Sequence, residues 1–77
     1  MTPEELKALR KAASKAKRIA TEKASELHDL VEDRLPAGYQ DLPAMAEACY
    51  AACQDWEKAN AEFEAAQAES EAVAAAN

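Results

Sequence analysis

Apolar residues recur at alternating steps of three and four along both halves of this chain, and one short segment holding its only glycine separates the halves. Such spacing lines the apolar positions along one side of an α-helix. In the first half the stripe reads Leu6, Leu9, Ala13, Ala16, Ala20, then Leu27 and Leu30. After Ala20 it has two routes, through Lys23 or through Ala24, Leu27 and Val31, which predicts a local change in packing near residues 20–24. In the second half, Leu42, Met45, Cys49, Ala52, Trp56, Ala59, Phe63, Ala66, Ser70 and Val73 follow without a break. The acids Glu47, Asp55, Glu57, Glu62, Glu64, Glu69 and Glu71 sit off that seam. The pattern predicts an all-α fold. Two helices, residues 3–34 and 43–73, form an antiparallel hairpin around a turn at 35–42, one domain over residues 1–77.

The predicted boundaries have local causes. Thr2 can cap the first free amides, Pro3 suits the first helical turn, and Glu5 completes a capping box. Pro36 disfavours helical geometry at Leu35, so the first helix should end by about Arg34. The turn then carries Pro36 and Gly38, with Tyr39 and Leu42 expected to fold back over the open end of the bundle. Asp41 supplies negative charge or a cap at the start of the second helix. The alanine-rich end of that helix has high helix propensity but little to bury, so fraying is expected there.

These stripes are thin. The hydrophobic share of the 77 residues is 49%, yet much of it is alanine, with one Trp, one Phe, two Tyr and two Met. A buried alanine removes far less apolar area from water than a leucine or phenylalanine. Chains this short are marginal unless they are stapled or associate. The expected remedy is a homodimer, two hairpins making a four-helix bundle. Leu6, Leu9, Leu27, Leu30, Met45, Cys49, Trp56 and Phe63 would form the oligomer seam.

Charge narrows the partners. The net charge is −6, which disfavours nucleic acid as the main ligand. Residues 1–23 hold seven basic and three acidic side chains, +4, while residues 24–77 hold two basic and twelve acidic, −10. The basic run Lys7–Lys23 is therefore expected to face the acidic half of the second helix, between Glu57 and Glu71, in cis or across a dimer. An RNA-binding helical dimer using Lys11, Lys15 and Arg18 is the competing reading. No run approaches the roughly 20 apolar residues of a membrane span, and no hydrophobic signal core opens the chain. Two cysteines in one segment make no disulfide framework. The expectation is a soluble cytoplasmic protein without membrane attachment.

Candidate chemistry is sparse. Cys49 and Cys53 share a helix face and, with His28, are the weak metal candidates; a metal or cluster carrier is an alternative function. Two small buried hydrophobes is the plainer reading of the cysteines. His28 and Glu32, four apart, read more readily as a solvated pair. No Glu-x-x-His spacing of the di-iron bundles occurs. With no base beside either thiol, no Gly-rich phosphate loop and no sign of an enclosed pocket, the chain reads as a non-enzyme without a cofactor.

One stretch exceeds what helix pairing requires: Leu27-His28-Asp29-Leu30-Val31-Glu32-Asp33-Arg34-Leu35-Pro36, followed by Tyr39, Leu42-Pro43 and Ala46. It resembles the small Rop-like proteins of unknown function encoded in nitrogen-fixation gene clusters. The likeness runs from about Leu6 to Phe63, and its specific part is residues 27–46. The resemblance does not assign the alanine-rich tail beyond Phe63 or the cysteine pair to the family. The resemblance implies a two-helix subunit of a four-helix bundle, and an accessory role around nitrogenase through its molybdenum–iron protein or its assembly machinery. It supplies no catalytic residue. Read from the residues themselves, the same stretch is a docking surface. His28, Asp29, Glu32, Asp33, Arg34, Tyr39 and Asp41 gather around a proline-stiffened turn, and a stiff turn loses less entropy on binding.

Overall fold

A computed structural model describes residues 2–76, with side chains described for residues 2–72. Two helices, α1 (Pro3–Asp29) and α2 (Leu42–Ala76), lie side by side as an antiparallel hairpin. The backbone fits a box of 62 × 14 × 14 Å, the proportions of a rod two helices thick.

The start of α1 follows the expected capping chemistry. The Glu5 N–H donates to Thr2 Oγ1 at 3.2 Å, and the Thr2 N–H donates to a Glu5 carboxylate oxygen at 3.2 Å. Pro3 occupies the first turn, where its missing N–H would have no helical partner anyway. At its other end the helix widens, and Leu30–Arg34 form one turn of π-helix. The Leu35 N–H closes that turn on the Leu30 carbonyl at 3.1 Å. Leu35 itself is extended (φ −84°, ψ 149°), the geometry a following proline favours, and the Leu35–Pro36 peptide bond is cis. Gly38 donates to the Arg34 carbonyl at 2.7 Å, and a single 3-10 turn, Tyr39–Asp41, leads into α2.

The seam runs as one line. Leu6, Leu9, Ala16, Ala20, Lys23 and Leu27 are half-buried and Ala13 and Leu30 buried, while Ala24 and Val31 are exposed. The stripe thus passes through Lys23, and the change in packing predicted for residues 20–24 does not occur. A lysine can do this because its methylene stem covers apolar surface while its ammonium reaches outward, here to Glu26 at 3.6 Å. The one break in regular helix comes later, at Leu30–Arg34. On α2, Leu42, Met45, Cys49, Trp56, Ala59 and Phe63 are half-buried and Ala52 and Ala66 buried. Ser70 is exposed, and the Val73 side chain lies outside the described residues.

Two boundaries move. α2 begins at Leu42, one residue early, and its backbone runs to Ala76. Tyr39 does not fold back: it is 62% exposed. The 3-10 turn that starts at Tyr39 directs its ring outward, and Leu35, Gly38 and Leu42 occupy the sheltered positions at that end instead.

Only four hydrophobic residues are buried among those described, Ala13, Leu30, Ala52 and Ala66, and Leu30 alone has a large side chain. The chain exposes 5821 Å², whereas a compact globular monomer of 8.3 kDa would expose about 4,600 Å². The difference exceeds the ~800 Å² that each partner contributes to a standard interface.

Candidate functional site

The turn-side end gathers all seven residues that the sequence marks for docking, and every one is exposed. They fall into two groups. On the outer face of the last turns of α1, His28 Nε2 lies 3.3 Å from Glu32 Oε2 and His28 Nδ1 lies 3.9 Å from Asp29 Oδ1. Across the turn, the Arg34 guanidinium donates to the Asp41 carboxylate, tying the end of α1 to the start of α2. Asp33 makes no ion pair among the described residues.

Helix electrostatics make this arrangement costly for the isolated fold. The C-terminal end of a helix carries partial negative charge, so carboxylates there are disfavoured, each by up to about 1 kcal/mol at an exposed position. Asp29, Glu32 and Asp33 all sit at the end of α1. Arg34 and His28 offset part of the charge, and Asp41 lies favourably before α2. The remaining negative surface does nothing for the hairpin that carries it. Beside it stand two exposed apolar side chains, Val31 at 53% and Tyr39 at 62%.

Val31 is the residue that sequence reasoning did not assign to this surface. Both stripe routes were open at Ala20, and one would have taken Val31 into the seam. The choice between them depends on whether Lys23 can lie along the seam, which spacing alone does not reveal. Gly38 likewise reads from the sequence only as a turn residue. A Cβ there would stand 3.1 Å from the Arg34 carbonyl oxygen and 3.2 Å from Leu30 Cδ1, so the turn packs directly on the buried leucine because that side chain is absent.

The other candidates lie elsewhere. Cys49 is half-buried and Cys53 exposed, both as free thiols. No group of three or more His, Cys, Asp and Glu side chains able to hold a metal exists among the described residues, so neither the cysteines nor His28 gains a third ligand. The pairing expected between the basic run and the acidic half of α2 is not made within the chain: among the described residues, Lys7, Arg10, Lys11, Lys15, Lys17 and Arg18 have no ion pair. Lys7, Lys11 and Arg18 sit across the helix from its seam, too far round to reach α2. Arg10 is closer and lays its guanidinium over the Phe63 ring, 5.5 Å from the centroid, a cation–π contact.

No described helix is long and apolar enough to cross a membrane. The family model described as Rop-like matches residues 4–68. Neither the curated proteins nor the solved structures contain a match to the chain.

Proposed function

Because the chain belongs to the Rop-like family, we propose that it is a non-catalytic accessory protein that docks on another protein through the turn-side end of its hairpin. The observation that carries the reading is the acidic, part-apolar surface of Asp29, Val31, Glu32, Asp33 and Tyr39 at the C-terminal end of α1, which works against helix stability and is left open. The Arg34–Asp41 bridge and the Gly38 contact brace it, so little ordering is needed on binding.

The partner class comes from the resemblance of residues 27–46 to proteins of nitrogen-fixation clusters. It is nitrogenase, through its molybdenum–iron protein, or the machinery that assembles it, in the cytoplasm. When free, the chain pairs with a second copy into a four-helix bundle. The excess exposed area and the half-buried Leu6, Leu9, Met45, Trp56 and Phe63 support that pairing.

Affinity capture from nitrogen-fixing cells tests the role, with the wild-type chain beside Tyr39→Ala and Asp33→Lys. Nitrogenase components or assembly factors should come down with the wild type and be lost with both variants. No recovery even by the wild type would sink the role, and equal recovery by all three would sink the site while leaving the role standing.

A further inference from the structure

Cys49 and Cys53 take no part in the turn-side surface. Four apart on α2, they point to one side of the helix. Cys49 is half-buried on the seam, and Cys53 is exposed. Cys53 opens onto a groove of about 280 Å³ between the helices, which it shares with Lys17, Ala20, Thr21, Ala24 and Trp56.

Geometry limits what this pair can become. Cβ atoms four apart on a helix stand about 5–6 Å from each other, whereas a disulfide needs about 3.5–4.5 Å. Since α2 is continuous through both positions, the pair stays a dithiol. A bridging atom faces no such limit. Two bonds of about 2.3 Å, the length of a zinc–thiolate bond, let the sulfurs stand more than 4 Å apart.

The ligand count limits which atom. Structural zinc takes four ligands and iron–sulfur clusters take four cysteines, and within one chain no third ligand is at hand among the described residues. Soft thiolates favour copper(I), which two of them satisfy in a linear arrangement. We propose that Cys49 and Cys53 form a two-thiolate site for copper(I) at the mouth of the groove beside Trp56.

Loading is an exchange of metal for protons. Both S–H bonds break, two S–Cu bonds form, two protons leave to solvent, and no oxidation state changes. The product carries one negative charge, and Lys17 lines the same groove. Burial, followed by the charge and hydrogen bond of Cys53, pushes the Cys49 thiol above its ordinary value of 9.0. Because loading releases two protons, binding strengthens as pH rises.

The test is an anaerobic titration of the reduced full chain with copper(I), held by a competing chromogenic chelator. One copper should bind per chain, with an ultraviolet thiolate-to-copper band. Cys53→Ser and Cys49→Ala should each weaken binding by about a hundredfold, at least the loss seen when supporting groups of metal sites are removed. A further variant, Cys53→Ser with Gln54→Cys, keeps two thiols but moves one off the face, and it should bind no better than a single-thiol variant. Equal affinity in that variant would overturn the proposal, as would copper held no tighter by wild type than by Cys53→Ser. A parallel zinc titration saturating at one zinc per two chains would also overturn it, in favour of a four-thiolate site between copies. Circular dichroism and sedimentation of the same samples keep loss of the site apart from loss of fold or dimer. The site uses one chain's residues alone, so its outcome is independent of the turn-side docking reading.

Discussion

Shortening Leu30 to alanine should remove a large part of the stability of this protein. Leu30 is fully enclosed (0% exposed), and the other buried residues among those described are all alanines. The substitution deletes three buried carbons. At about 0.8 kcal/mol per methylene, the transfer loss is roughly 2.4 kcal/mol, and the residual cavity lifts the cost to about 3 kcal/mol. Collapse into that cavity is hindered, because the turn is pinned by the Leu35 and Gly38 N–H groups donating to the Leu30 and Arg34 carbonyls. Domains of this length are stable by about 4–12 kcal/mol in total. A loss of that size lowers Tm by about 12–24 °C, at roughly 4–8 °C per kcal/mol for a small domain. Thermal and urea melts followed by circular dichroism measure it, at matched chain concentration because association makes Tm concentration-dependent. Val31→Ala is the control: next in sequence and 53% exposed, it should cost no more than about 0.5 kcal/mol. A Leu30→Ala loss under about 1 kcal/mol, or an equal loss at Val31, would refute the view that one leucine anchors the turn end.

Three further outcomes follow from the same geometry. Gly38→Ala places a methyl 3.1 Å from the Arg34 carbonyl oxygen; although φ is an ordinary −87°, the crowding should outweigh the usual gain of about 0.4–1 kcal/mol and lower the urea midpoint. A raised midpoint would show that the turn can give. Thr2→Ala removes the hydroxyl that accepts from the Glu5 N–H and should cost about 1 kcal/mol, read from the same melts, with an unchanged midpoint counting against the cap. The Cys49 thiol lies above its ordinary 9.0 when folded, so the folded state holds that proton more tightly than the unfolded one. The stability this confers is complete below pH 9.0 and is lost as pH climbs through and beyond it. Mass-spectrometric alkylation near neutrality should accordingly find Cys49 modified more slowly than Cys53, and equal rates would contradict the shift.

The helices were legible because their determinants are local. Thr2 to Glu5 encode a cap within four residues, and alternating steps of three and four encode the seam from Leu6 to Ala20 and from Leu42 to Ala66 without knowledge of the rest of the chain. Tyr39 was misjudged because its direction depends on a 3-10 turn whose geometry is set by Gly38 and Leu30 packing together. The absent charge pairing between the helices has a similar cause. Composition shows that opposite charges share one end of the hairpin, but only the rotation of each helix decides whether they meet. The residues proposed for docking are legible as a cluster, since surplus charge near a proline-bearing turn stands out against a heptad background. Their partner is another matter, because complementarity is written on a surface that this chain does not contain.

Lys23 has a consequence for alignment. Alanine layers are nearly interchangeable with one another, so helices paired mainly through them could slide by a heptad and lose little. A lysine set into such a stripe removes that freedom. Its stem is half-buried on the seam while its ammonium reaches Glu26 on the same helix, and a shifted pairing that covered the ammonium with hydrocarbon would carry its desolvation cost. One imperfect seam position thereby acts as an index mark, keeping the two helices at a single setting at a small expense in strength.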